Sequence, residues 1–484
     1  MIDPTPYLRD AAIHTQAGEG AKDDRELASL LALGHDVVAR VKKGGADVVE
    51  VILRSGSELS ARVRLGEPEL VEEAGHRGLG MRLMKRDVGG DKALRVALTS
   101  TSDTTDEGIQ RFIEDALELV DLAQPDPFAG PPDEALLAKG PWPDLDLYDP
   151  ACGTVDAAEA VRRAKIAEDA ARAYDPRITN SEGASFSRTQ GAAVILTSGG
   201  FAGGYRGSYA SLVCSPIADE PGSEKKRRGY HWTARRKLAA LDDAKSVGEE
   251  AARRTLRKLG AKKIATEELP VVFDPDAARS ILGLLAGCIS GGSVYRKSSY
   301  LVDREGTRVA SDLVTVDDDP LIPGAPGSRP FDGEGLASRK LPIVAGGTLQ
   351  TYLMDSYSGR KLGKQPTASA SRGGSGGVGA STSNFILRPG KTSAKDIVKQ
   401  TKRGLYVTEM MGFGFNGVTG DFSRGASGFW IENGELAYPV SEVTISLNLD
   451  QLLQRIDMVG DDLDMRTSIV SPTFRVSQMT IAGS

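Results

Sequence analysis

The chain has 484 residues, 40% of them hydrophobic and 26% charged, with a formal net charge of −6, enough for a large core split into two or more domains. The acidic balance argues against a nucleic-acid-binding protein, no apolar run is long enough to cross a bilayer, and MIDPTPYLRD lacks the features of a signal peptide. Cys152, Cys214 and Cys288 are widely spaced with no CxxC pair, so a disulfide-free cytoplasmic protein is expected.

The N-terminal part opens with a helix at 25–43, apolar at Leu27, Leu30, Leu31, Val37, Val38 and Val41 and closed by Gly44-Gly45. Alternation predicts strands at 47–53 and 58–63 around a Ser-Gly turn, then at 70–74, 79–84 and 93–98. An amphipathic helix follows at 105–122. The Pro-rich segment 124–150 sustains neither periodicity and reads as a linker, ending a first domain at 1–123. The remainder, 151–484, reads as the second domain. It begins with a helix at 156–173, strands at 178–187, 191–197 and 205–214, and a helix at 242–259. Between them the run EKKRR at 224–228 is expected to be a solvated loop rather than a basic binding patch.

An apolar strand at 270–274 then feeds the element around which the rest is arranged. Asp274 can cap a helix and Pro275 suits its first position. Ile281, Leu282, Leu284, Leu285, Cys288 and Ile289 form a broad apolar face, while Ser280, Gly283, Gly287 and Gly291 allow close packing on another side. After this helix the pattern turns to β. Hairpins are expected at 341–354, turning at Gly346-Gly347, and at 429–440, turning at Asn433-Gly434, with helices at 393–401 and 449–455. The Gly/Ser-rich stretch 364–383 is expected to be a flexible loop, with a lid or channel wall as the functional alternative. The whole predicts an α+β fold, a mixed N-terminal domain followed by a larger β-rich domain packed on the central helix.

No catalytic constellation stands out. His14, His35, His76 and His231 are far apart in sequence, Asp317–Asp319 suit a turn before Pro320, and Cys288 lies among apolar neighbours that disfavour a thiolate. Between Arg279 and Tyr295 the central helix offers no imidazole or carboxylate, so it cannot build a helical zinc site. Two polar clusters remain as candidate contacts for substrate or partner. One is Tyr295, Arg296 and Ser299 just after the helix; the other is Asp421, Ser423 and Arg424 before the last hairpin, where Arg424 could instead brace Asp421.

Four stretches, ISGGSVYRKSSYLVDREG at 289–306, VDDDPLIPGAPGSRPFDGEG at 316–335, GLYVTEMMGFGFNGVTGDFSRGASGFWIENGELAYPV at 404–440 and MTIAG at 479–483, resemble the TldD/PmbA peptidase family, in its PmbA (TldE) branch. Looser similarity reaches back to about Glu26. In the TldD branch the matching helix carries an HExxxH metal signature and a cysteine near the C-terminus completes the site; here the helix reads Leu-Gly-Leu-Leu-Ala-Gly, and Ser-Pro-Thr-Phe stands near Ser471. The resemblance thus implies a subunit without catalytic residues, metal or cofactor of its own. It would partner a zinc-bearing TldD-like subunit in cleaving unfolded or modified peptides, with neither nucleic acid nor membrane involved. The alternative is a stand-alone peptide-binding or regulatory homo-oligomer.

Overall fold

The computed structural model describes residues 25–87 and 93–483; His14 lies outside them. The first half contains helix α1 (Arg25–Lys43), strands β1 (Val48–Arg64), β2 (Glu67–Arg86) and β3 (Leu94–Thr101), and helix α2 (Asp106–Leu122). Then come α3 (Ala157–Ala173), β4 (Ile178–Thr197), β5 (Ala202–Asp219), β6 (Lys226–Arg228), β7 (His231–Arg235) and α4 (Ala244–Leu256). The strands form one seven-stranded sheet, β3-β2-β1-β4-β5-β6, with β7 also on β5.

Pleating decides what each face of this sheet meets. Along β1 the residues Val49, Val51, Leu53, Leu59, Ala61 and Val63 share one side and pack on α1 to α4. Glu50, Ile52 and Arg54 alternate with them and face the C-terminal half, where Ile52 joins Ile195, Tyr205 and Phe331. Charged residues at alternate positions of a buried strand are thus explained by a polar partner surface on that side.

The sheet corrects two expectations. The strands anticipated in pairs around Ser55-Gly56 and before Gly191 are single long strands, as is β2. Gly56 pairs with Gly191 and His76. A Cβ at 56 would lie 2.6 Å from the Gln190 carbonyl oxygen and 2.9 Å from the His76 ring. This glycine serves close strand approach, and the hairpin instead turns at Leu65-Gly66, with φ of 51° and 87°. Second, β1 pairs with β4 from Glu50↔Thr197 to Val63↔Ala184, so the sheet runs across the expected division at 124–150. That segment is folded: Leu145 and Leu147 are buried, and Trp142 packs against Phe201 and Phe331 at 5.8 and 5.0 Å between ring centroids. Within the EKKRR run, Lys226–Arg228 forms β6, its cations paired with Asp219, Glu220 and Glu182.

The C-terminal half comprises β8 (Glu267–Phe273), α5 (Pro275–Cys288), α6 (Gly291–Tyr295), β9 (Val316–Asp318), β10 (Leu341–Ala345), β11 (Thr348–Leu349), α7 (Ser356–Leu362), β12 (Ala370–Arg372), β13 (Val378–Ala380) and β14 (Phe385–Leu387). It continues with α8 (Ala394–Lys399), β15 (Arg403–Met411), β16 (Asp421–Glu432), β17 (Glu435–Asn448), α9 (Leu449–Gln454), β18 (Ile456–Val459), β19 (Ile469–Val470) and β20 (Phe474–Ala482). Strands β17-β16-β15-β8-β20 run in order, and β17 also pairs with β20, closing a barrel to which β18 adds at β20. A second sheet runs β11-β10-β9-β14-β19. Helix α5 shares one core with both: Ile281, Leu282 and Leu285 cluster with Phe273, Leu405 and Val407 of the barrel and with Val316 and Phe385 of the second sheet. The architecture is α+β, and both predicted turns hold, Gly346-Gly347 and Asn433-Gly434 each taking positive φ.

The Gly/Ser-rich stretch differs from the flexible loop expected of it. It carries the β12–β13 hairpin and buries Thr367, Ser369, Arg372 and Ser383. Its glycines let it lie on the sheet, for a Cβ at Gly80 would come 2.0 Å from the Gly374 carbonyl oxygen.

Arg372 anchors this hairpin into an interior ionic cluster. Glu50, fully buried, accepts from Arg372 Nη2 at 2.7 Å and Arg82 Nη1 at 3.3 Å through the same oxygen, Oε2. Burial works against its charge, but Arg372 and Arg82 hold its carboxyl below the usual range. Arg372 also donates to the carbonyls of Gly333 (2.6 Å) and Gly376 (3.0 Å). Nearby, Arg360 donates to the carbonyls of Phe128, Gly130 and Pro131 at 2.7 to 3.0 Å, tying the Pro-rich segment to α7.

The Asp317–Asp319 run also departs from a simple turn, since Asp317 and Asp318 belong to β9. Asp317 pairs bidentately with Arg388 at 2.6 and 3.0 Å. Asp318 is buried and accepts from the Ser383 amide (2.7 Å) and hydroxyl (2.9 Å), yet burial pushes its carboxyl up to about 6. Between the ordinary carboxyl pKa near 4 and that value the folded chain keeps a proton that the unfolded chain has lost. Stability therefore falls as pH rises through this window, by about 3 kcal/mol in total. Asp318→Asn should flatten that segment of the stability-against-pH curve, measured by urea unfolding at half-unit steps from pH 4 to 7.

Candidate functional site

Helix α5 is positioned by its start. Asp274 accepts from the Ala277 amide at 2.9 Å, Pro275 occupies the first turn, and the Asp274 amide donates to the Val407 carbonyl of β15 at 3.0 Å. The first turn of α5 borders a crevice lined by Trp232, Asp276, Arg279, Asp464, Arg466 and Ser471. Arg279 and Arg466 both lie against the Trp232 ring, 5.5 and 4.7 Å from its centroid. Arg466 is fixed by the Trp232 carbonyl at 2.6 Å and by Asp464. Asp276 faces Arg254 and Arg279, each at 3.5 Å. The arrangement can hold polar or carboxylate groups through its guanidinium edges. It presents no nucleophile next to a base. Sequence reasoning missed this crevice because three distant segments supply Trp232, Arg279 and Arg466; the only local signal was the one-turn spacing of Asp276 and Arg279.

The residues singled out from the sequence lie beyond the other end of α5, in two adjoining segments. Tyr295 ends α6, with the exposed Arg296 guanidinium 5.2 Å over its ring and Arg296 Nη1 donating to its hydroxyl at 3.1 Å. The Tyr295 ring also meets Tyr357 edge-on at 5.8 Å. Ser299 is buried, and its hydroxyl accepts from the Leu301 amide at 3.0 Å. Burial pushes the Cys288 thiol up to about 11, with Ser299 as its hydrogen-bond neighbour, so this thiol is held protonated.

The second cluster lies next to the first: the Tyr300 amide donates to the Gly417 carbonyl at 2.8 Å, in the loop leading to Asp421. Asp421 accepts from the Thr419 hydroxyl (2.7 Å) and the Asn448 amide (3.2 Å), which hold its exposed carboxyl below the usual range. Asp421 and the exposed Ser423 share one face of β16, whereas Arg424 projects from the other. Asp421 is thus braced by Thr419 of its own loop and by Asn448 at the end of β17. The same loop, between β15 and β16, exposes Met411 and Val418 and leaves Phe413 fully exposed.

A metal fits this chain poorly at the position the sequence comparison points to. Leu282, Leu285 and Ala286 of α5 are buried in the apolar core, and Gly283 faces the Ile469 side chain. Ser471 is buried with its hydroxyl donating to the Pro472 carbonyl at 2.9 Å. These groups supply none of the imidazole, thiolate or carboxylate donors that zinc takes. Among the described residues no three His, Cys, Asp or Glu side chains gather where they could hold a metal. His35 and His76 are exposed, and His231 is half-buried, its imidazole pushed down to about 4 chiefly by burial. Among the described residues no helix is long and apolar enough to cross a membrane.

Comparison with known proteins covers nearly the whole chain. Three domains described for the PmbA/TldA metallopeptidases match: domain 1 at residues 49–120, the central domain at 150–259 and the C-terminal domain at 266–483. The metalloprotease PmbA of Escherichia coli O157:H7 is 38% identical over 91% of this chain and 93% of its own. The PmbA homologue of Haemophilus influenzae is also 38% identical, over the same shares. A Bacteroides thetaiotaomicron protein described as a candidate modulator of DNA gyrase superposes with a TM-score of 0.86 at 27% identity, covering 94% of this chain and 98% of that one. TldE from Thermococcus kodakarensis shares the fold, with a TM-score of 0.83 at 22% identity over 93% of this chain and 100% of its own. Matched by all three domains of the family and, over 91% of its length, by a PmbA metalloprotease at 38% identity, the chain belongs to the PmbA/TldD metallopeptidase family, as a member of the PmbA (TldE) type.

Proposed function

We propose that this chain is the subunit of a TldD/TldE-type metallopeptidase that binds no metal, and that it joins a zinc-bearing TldD-like subunit to cleave unfolded or modified peptides in the cytoplasm. The observation that carries this reading is the chemistry of α5: where hydrolysis would need donors stand Leu282, buried in the core, and the glycines Gly283 and Gly287. The apolar Met411–Val418 loop, which meets Ser298 and Tyr300 and leads to Asp421, supports it, since a fully exposed Phe413 suits a subunit contact better than solvent. The guanidinium groups of the Trp232 crevice suit carboxylates of a peptide chain.

Co-expression with a TldD-like chain tests the proposal. The tagged protein should carry that chain through purification, and the pair should cleave an unstructured peptide that neither subunit cleaves alone. Zinc measured by elemental analysis should follow the partner. Phe413→Asp should weaken co-purification at least tenfold while leaving the melting temperature of the isolated chain unchanged. A pure homo-oligomer that binds peptide and ignores the TldD-like chain would replace this reading with the stand-alone one; stoichiometric zinc in the isolated chain would overturn both.

A further inference from the structure

We propose that the cavity between the inner face of the large sheet and the segment Arg329–Gly333 is a binding site for a small monovalent inorganic anion of halide size. Its walls are apolar where Ile52, Ile195 and Phe331 line it, and Arg54, Arg329 and Arg372 border it with Asp332. The free space, about 20 Å3, admits one guest of about the size of a water molecule or a halide.

Arg329 carries the argument. It is 5% exposed, and neither Nε nor Nη2 has a hydrogen-bond partner. A guanidinium cannot shed its proton, so burial leaves it charged, and an unpaired ion in an apolar wall is costly. The acids on which its charge acts are Asp318 and Asp332, and both are engaged elsewhere. Asp332 accepts from the amides of Glu334 and Leu336 at 2.9 Å and of Ala370 at 3.0 Å; Asp318 is held by Ser383. Glu50 answers Arg372 at 2.7 Å, and Arg54 donates to the Arg372 carbonyl at 2.8 Å. Burial also pushes the Asp332 carboxyl upward, towards its neutral form. With Glu50 matched to Arg372 and Asp318 held by Ser383, the Arg329 charge is left with one weakened acid, Asp332. A single negative charge neutralises the Arg329 guanidinium, which water cannot, and the space is too small for sulfate or phosphate. Fields in such low-dielectric surroundings are strong. The guest would bridge β1 to the Arg329–Gly333 and Ser371–Arg372 segments, and the inference does not depend on which partner the protein takes.

Bromide is the probe. Crystals of the full chain soaked in sodium bromide should show an anomalous peak between Arg329 and Arg372. In solution, replacing sodium gluconate by sodium chloride at constant ionic strength should raise the melting temperature saturably. Arg329→Leu should lose that response, and in gluconate it should melt at or above the wild-type temperature because an unanswered charge has gone. A cavity that holds only water in bromide-soaked crystals, or an equal chloride response in Arg329→Leu, would overturn the proposal.

Discussion

Glu50→Gln is expected to cost about 3–5 kcal/mol of stability, the range for breaking a buried ion pair from one side. The substitution keeps the shape and removes the carboxylate that answers Arg82 and Arg372, both nearly inaccessible and both reaching Glu50 Oε2. The loss should appear as a lowered urea midpoint. Arg372 would stay bound to the Gly333 and Gly376 carbonyls, so the hairpin 370–380 should loosen without leaving, and hydrogen exchange there should rise. Replacing Glu50, Arg82 and Arg372 together with apolar residues of similar size should recover most of the loss, since a buried ionic cluster seldom outperforms good apolar packing. If Glu50→Gln unfolds within 1 kcal/mol of wild type, the cluster does not hold the sheet to the C-terminal half.

Gly428→Ala is the second. Gly428 lies in β16 beside the register shift near Val407, and a Cβ there would sit 1.8 Å from the Tyr406 carbonyl oxygen and 3.0 Å from the Val407 Cα. The obstacle is backbone of a barrel strand, which cannot swing aside as a side chain would. A cost of about 3 kcal/mol or more is expected from such overpacking, read as a drop in melting temperature. Gly379, whose added Cβ would meet nothing within 4 Å, is the control, and Gly379→Ala should be nearly silent.

Helices were legible because their ends are written in local chemistry. Thr105 accepts from the Gly108 amide and Asp274 from the Ala277 amide, as capping residues should. Tight turns with φ above zero, Gly346-Gly347 and Asn433-Gly434, were legible for the same reason. The long strands were not, because Gly56 serves a contact with Gln190 that is remote in sequence, and a glycine looks the same whether it turns a chain or admits a neighbour. The Gly/Ser-rich stretch misled in a related way: its order comes from Arg372 reaching Glu50, a partner 322 residues away. At the site, the absence of metal donors on α5 was readable from residue types alone. The Trp232 crevice was not, since it exists only once the three segments meet.

The closure of β17 onto β20 has a consequence for how the protein is made. Strand β8, at 267–273, must pair with β20, at 474–482, before the barrel wall is complete. Closing so long a loop is slow, and the ribosome delivers the last stave some 200 residues after the first. Until then β8 and β17 present bare flanks, inviting chaperones or stray chains to pair with them. Nascent chains should therefore gain protease resistance in their first half well before the second.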